Sequence, residues 1–272
     1  MGKNVYFVSG LPRSGSTLLG GLLRQNPAFE AGMSTPVFAL MSALLPKMSN
    51  ATEFGPAFNE EQRANVLRGL FESYYQHSPA TSVFDTNRGW TQKLHVLMRL
   101  FEDVKIICLV RPIPEILQSF ENQFYRSPLL LSQIIGYEPD TSVYVRTDRL
   151  MMGGGTVGFA LNALKEAFYG PNSDRLMIVS YNAIANQPQA VMRGIYEFVG
   201  EPLFKHDFGN VDYEATEFDT LLAAPGLHKV RKEVKPVQQT RTLPPDIVNR
   251  FSGGPFWETD GDFTRSNLAF AK

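Results

Sequence analysis

The sequence predicts an α/β fold, a central parallel sheet flanked by helices on both faces. Three observations carry this. Short, near-continuous apolar runs recur at Val5–Val8, Val104–Val110 and Leu176–Val179, as expected of strands buried on both sides. Segments with apolar residues at helical spacing alternate with these runs. The junctions after the runs carry Gly, Pro, Arg and Tyr, where parallel sheets bind ligands at the carboxyl ends of their strands. The 272 residues are expected to form one domain over 1–272.

The first element is Val5–Val8, followed by a Gly/Pro/Ser/Arg loop and a helix with Leu18, Leu19, Leu22 and Leu23 on one apolar face. The loop nearly matches GxxxxGK[ST]. Gly10, Gly15 and Thr17 fill their positions, but Ser16 stands where the lysine belongs. Free amides and the helix dipole would still attract a phosphate. The lysine that reaches the terminal phosphates of a triphosphate is missing, which argues against an ordinary ATPase or kinase.

Asn26-Pro27 then breaks the pattern. Pro36 is expected to open a helix through Leu45, stopped by Pro46. Ser49–Pro56 reads as a polar loop. Asn59 is an N-cap, with Glu60 and Glu61 in the first turn of a helix that carries Val66, Leu67, Leu70, Phe71, Tyr74 and Tyr75 into the core. Ser82–Phe84 is a short strand, followed by a loop from Asp85 to Trp90 and a helix with Leu94, Leu97, Met98 and Phe101. The Val104–Val110 strand ends at Arg111-Pro112, and the next helix buries Ile113, Ile116, Leu117 and Phe120. Residues 125–156 form the least regular stretch, read either as a substrate or lid insertion or as a flexible excursion. A helix over Val157–Phe168, the Leu176 strand and a helix from Pro188 ended by Gly200 follow. Beyond Glu201 the chain is turn-rich, with a short helix over Pro245–Phe251.

Charge is nearly balanced, with 26 basic and 27 acidic residues, so no general attraction to nucleic acid is expected. One cysteine, Cys108, allows no internal disulfide. Val5–Val8 is too short for a signal peptide, and no apolar run reaches membrane-spanning length. A soluble, cytoplasmic protein is expected.

Pro12-Arg13-Ser14-Gly15-Ser16-Thr17 resembles the 5′-phosphosulfate loop of the sulfotransferases that use 3′-phosphoadenosine 5′-phosphosulfate (PAPS). A second segment strengthens the likeness. Arg111 directly follows a buried strand, and Ser119 comes eight residues later on the next helix. In that family an arginine and a serine so placed bind the 3′-phosphate of PAPS. The arginine fork and the hydroxyl suit a phosphate on physical grounds too. Tyr181, after the Leu176 strand, is similar to a family tyrosine before a Pro-started helix. The basic stretch Gly226–Lys232 resembles a late loop that closes over the nucleotide, expected here over 226–243, with Lys229 and Arg231 as contacts. The resemblance implies metal-independent transfer of a sulfuryl group to a hydroxyl or amine, releasing 3′,5′-ADP. Small molecules, carbohydrates, lipids and peptides all remain open as acceptors.

The resemblance does not supply the base. The tyrosylprotein branch of the family has a glutamate where Ser34 stands, and the histidine segment of the cytosolic small-molecule branch has no match. The Asp85–Trp90 loop offers Asp85 as base and Arg88 in the electrostatic role of the family's lysine. Asp85 is equally read as a helix cap or a partner of Arg88. Glu30, His95, His206 and His228 stand in reserve. Arg13, Asp85 and Arg88 are thus the expected catalytic residues. The alternatives are a P-loop phosphotransferase using a nucleoside triphosphate and a non-catalytic nucleotide-binding protein.

Overall fold

The computed structural model describes residues 2–49, 53–128, 141–236 and 240–258, and the backbone of 267–270. Six parallel strands form one sheet, in the order β2-β3-β1-β4-β5-β6. They are β1 (Asn4–Gly10), β2 (Phe29–Ser34), β3 (Ser82–Thr86), β4 (Ile106–Val110), β5 (Leu176–Ser180) and β6 (Asn267–Phe270). The chain runs from β1 to β2 and β3 on one side, then crosses to β4 and β5 on the other. That reversal opens a crevice at the carboxyl end of β1.

Strand alternation divides the core. Val5, Phe7, Val83, Cys108 and Ile178 face one layer, which contains α2 (Val37–Lys47), α3 (Glu60–Tyr74), α4 (Leu94–Leu100), α5 (Ile113–Arg126) and α7 (Thr156–Tyr169). Tyr6, Val8, Phe84, Leu109 and Val179 face the other, with α1 (Ser16–Leu23) and α9 (Pro188–Val199). The period of two therefore separates neighbours such as Phe84 and Asp85 onto opposite faces.

The α/β class and the alternation of elements are as the sequence predicts. The boundaries differ in informative ways. Helix α2 runs to Lys47 and takes Pro46 into its last turn. The strand β2, FEAGMS, was not legible as one. It lies at the sheet edge and pairs with β3 alone. The expected irregular stretch 125–156 contains a helix, α6 (Val143–Met151), whose first turn is capped by the Ser142 hydroxyl. Arg146 on α6 pairs with the buried Glu121 of α5 and lies 3.8 Å over the Phe124 ring. Residues 129–140 of that stretch lie outside the described residues. Two short helices, α8 (Tyr181–Asn186) and α10 (Thr216–Leu221), replace expected turns, and α11 (Pro245–Arg250) matches the expected short helix.

Asn59 caps α3 as its sequence predicts. Its side chain accepts from Gln62 N, and Gln62 returns a bond to Asn59 N. Asn59→Ala is expected to cost about 1 kcal/mol, read as a lower midpoint in urea with an unchanged slope.

Candidate active site

The turn after β1 is built by backbone geometry. Gly10 has φ 104°, and a Cβ there would lie 2.2 Å from the Leu109 carbonyl oxygen of β4. Gly15 has φ 96° and packs against the Tyr181 ring, 3.0 Å from its Cβ position. Both positions require glycine. Arg13 between them takes φ 60°, a left-handed conformation uncommon outside glycine. Gly15 is the N-cap of α1 and offers no side-chain cap. The first amides of α1 thus keep their hydrogens for another acceptor.

Around this turn lies a cleft of ≈ 640 Å³, within the range of small-ligand sites. Its lining brings together Pro12, Arg13, Gly15, Ser16, Thr17, Arg88, Arg111, Ser119, Tyr181, Lys229 and Arg231. These come from the ends of β1, β3, β4 and β5 and from the late loop, as the topology requires. Two expected residues are absent from the lining. Ser14 is fully buried, and its hydroxyl donates to the Pro12 carbonyl at 3.3 Å.

Asp85 is the second residue absent from the lining. It pairs in register with Phe7, so it shares the face of Phe7 and Trp90, away from the cleft. Its carboxylate accepts from Thr35 Oγ1 and Tyr75 OH at 2.7 Å each, and from Trp90 Nε1 at 3.0 Å. Burial pushes its pKa up, and the three donors pull partly against that shift. It does not pair with Arg88. The loop itself is placed as expected, because Ser9 Oγ donates to the Arg88 carbonyl and Asn87 N to the Val8 carbonyl.

Arginines dominate the centre. Arg111 is buried. Its Nε donates to Glu115 Oε2 at 2.9 Å and its Nη1 to the Arg13 carbonyl at 3.2 Å, while its guanidinium lies 4.3 Å over the Tyr181 ring. Arg13 Nε donates to Ser119 Oγ at 3.0 Å, and its Nη1 to the Leu227 carbonyl. Burial, with the charge of Arg111 beside it, lowers the Arg13 pKa to about 10. A crowded cationic centre of this kind favours an anion.

The late loop is fastened over the cleft from α5. Gln123 Nε2 donates to the Pro225 carbonyl at 3.0 Å, and Gln118 Oε1 accepts from Thr242 N and Leu243 N. The lining also includes Arg126, Asn122, Gln123 and His228, which lie outside the contacts expected from the sequence. Arg126 had a signal. It lies seven residues after Ser119 on α5, two turns on, and so on the same helix face.

A family model described as "Sulfotransferase family" matches residues 6–206. The chain belongs to the sulfotransferase family. The match spans both the Arg13 turn and Arg111–Ser119. Several solved sulfotransferase structures are similar to this family member. The sulfotransferase domain from the curacin biosynthetic pathway shares 16% identity with a TM-score of 0.49, covering 75% of this chain and 76% of that one. The sulfotransferase domain of the Synechococcus PCC 7002 olefin synthase shares 18% with a TM-score of 0.45, covering 74% and 75%. Sulfotransferase STF9 from Mycobacterium avium shares 15% with a TM-score of 0.43, covering 75% and 65%. No curated protein sequence matches the chain. Among the described residues of this sulfotransferase, no helix is long and apolar enough to cross a membrane.

Proposed function

We propose that the chain, acting as one domain over 1–272, transfers a sulfuryl group from PAPS to a hydroxyl or amine acceptor and releases 3′,5′-ADP without a metal. The observation that carries this is the meeting of Arg13, Arg111 and Ser119 in one cleft, beside a phosphate-binding turn with Ser16 in the lysine position. PAPS carries two separate anionic groups, and two sets of donors in the cleft suit them. The turn, with Arg13, Ser16, Thr17 and the first amides of α1, suits the 5′-phosphosulfate. Arg111 and Ser119 suit the 3′-phosphate.

Arg13 then has a chemical task. As the sulfur–oxygen bond breaks, charge grows on the leaving phosphate, and a donor already aimed at it lowers the barrier. One such donor is worth about 2.7–4 kcal/mol. Arg88, at the β3 side of the cleft, adds positive charge there. Lys229 and Arg231 cover the nucleotide from the late loop. A cytoplasmic location fits a single, buried cysteine. The acceptor is a small molecule, carbohydrate, lipid or peptide.

Calorimetric titration tests the reading. 3′,5′-ADP is expected to bind without added metal and more tightly than ATP with Mg²⁺. At a hundredfold excess over Kd it adds about 2.7 kcal/mol of stability, raising Tm by roughly 5–10 °C for a chain of this size. Binding of Mg-ATP with no response to 3′,5′-ADP would overturn the proposal in favour of a phosphotransferase.

A further inference from the structure

With Asp85 turned away from the cleft, the acceptor's proton needs another recipient. Besides the arginines and lysines, the charged or titratable groups lining the cleft among the described residues are Tyr181, Glu233 and His228. Tyr181 lies under Arg111, its ring face occupied by that guanidinium. Glu233 is exposed and already engaged by Lys235 at 2.6 Å.

His228 is arranged differently. Its Nδ1 lies 2.6 Å from Asp219 Oδ1, and its own backbone N–H donates to Asp219 Oδ2 at 3.0 Å. Asp219, on α10, is buried. One carboxylate therefore fixes both the loop and the ring. A carboxylate can only accept, so the imidazole proton sits on Nδ1 and Nε2 keeps its lone pair. The Phe218 ring packs edge-on against the imidazole at 5.4 Å. No hydrogen bond engages Nε2 among the described residues. The charged groups facing the ring are Asp219 from α10, Arg13 from the turn after β1 and Arg88 from the loop after β3. Burial lowers the His228 pKa, Arg13 and Arg88 lower it further, and Asp219 opposes them. The ring is thus neutral at neutral pH. A bound nucleotide would offset the two arginines and move its basicity back up.

We propose that His228, oriented by Asp219, is the general base of the transfer; this rests on the sulfotransferase reading of the cleft. Nε2 takes the proton from the acceptor hydroxyl as the hydroxyl oxygen bonds to sulfur. The bond between sulfur and the bridging oxygen breaks, and its electron pair leaves on the 5′-phosphate of 3′,5′-ADP. Asp219 stabilises the imidazolium, which then returns its proton to water. The arrangement joins a base, an orienting carboxylate and an anion site in one cleft.

The test uses the full chain and PAPS, with 3′,5′-ADP release followed from pH 5.5 to 9 in water and with 2-naphthol as probe acceptor. His228→Gln is expected to slow release by about 10²–10⁴-fold and to remove the fall in rate on the acid side. Its calorimetric Kd for 3′,5′-ADP should stay within about threefold of wild type. Equal rates at equal nucleotide affinity would overturn the base assignment. Failure of the wild type to bind 3′,5′-ADP would instead overturn the sulfotransferase reading. Imidazole ¹⁵N spectra decide the case where turnover is too slow to follow. His228 should show protonated Nδ1 and bare Nε2 at pH 7, while protonated Nε2 there overturns the proposal. Asp219→Asn should shift that tautomer balance and the acid limb, an effect that loop anchoring alone would not produce.

Discussion

Arg111→Ala is expected to weaken 3′,5′-ADP binding by about 10²–10³-fold. The physical reason is that the guanidinium is already desolvated and held in place. Glu115, the Arg13 carbonyl and the Tyr181 ring fix it from three directions, so little ordering remains to be done when a phosphate arrives. Truncating one member of a buried, hydrogen-bonded charge pair costs about 2–5 kcal/mol, which at 1.4 kcal/mol per tenfold spans roughly 30- to 4,000-fold and brackets that loss. Arg111→Lys should recover only part of it, because an ammonium keeps the charge but not the planar fork. The fold should tolerate the change. Glu115 is partly exposed and stays hydrated without its partner. Isothermal calorimetry at fixed salt, alongside a urea titration, separates the two effects. An unchanged Kd would remove Arg111 from the nucleotide site. A second consequence has a definite sign. Arg111 helps to hold the Arg13 pKa down, so its loss lets that pKa rise and weakens the cationic field at the turn.

The parts of the site legible in the sequence are those fixed by local pattern. An apolar run buried on both faces marks a central strand, and the residue after it stands at the ligand edge. That argument alone places Arg13, Arg111 and Tyr181. It fails where direction matters. Asp85 and Ser14 lie at the correct ends of the correct elements, yet both side chains turn inward. For Asp85 the strand period decides. Counting two residues from Val83, which faces the α3 and α4 layer, puts Asp85 on that same face. The irregular half of the site was hidden for another reason. Asp219 and His228 are separated by nine residues across a turn, and no helical or strand spacing brings them together. Strand β2 is hidden in the sequence because FEAGMS, although Phe29, Ala31 and Met33 alternate with Glu30, Gly32 and Ser34, has no β-branched residue, and its place at the edge comes from pairing with β3.

Asp85→Ala is expected to be among the most damaging single substitutions in stability while leaving the nucleotide site chemically intact. Its carboxylate is the acceptor for Tyr75 OH and Trp90 Nε1, both on buried residues, and for the less buried Thr35 hydroxyl. Each buried donor left without a partner costs about 1–3 kcal/mol. The two strictly buried ones then remove roughly 2–6 kcal/mol from a total of about 5–15 kcal/mol. Asp85→Asn should cost less. Its carbonyl can face Trp90 Nε1 while its amide donates to the two hydroxyls, which can turn to accept. The pH dependence follows from the direction of the pKa shift. Burial raises the folded-state value above the unfolded one, so the folded chain binds this proton more tightly. The stabilisation that the proton confers is complete below the ordinary carboxylate range and is lost as pH rises through the raised value. The deficit of the Asn variant relative to wild type should therefore narrow from pH 4 to pH 8, measured as Tm across that range. A deficit that widened would mean that the three donors outweigh burial and favour the ionised form. Folded Asp85→Asn should bind 3′,5′-ADP within about threefold of wild type, whereas a general base in this position would leave binding intact and abolish turnover. A smaller effect on rate is still expected, because Thr35 bonds Asp85, accepts from Val37 N at the start of α2, and follows Ser34 in the cleft wall. The carboxylate thus acts on the site through the position of that wall.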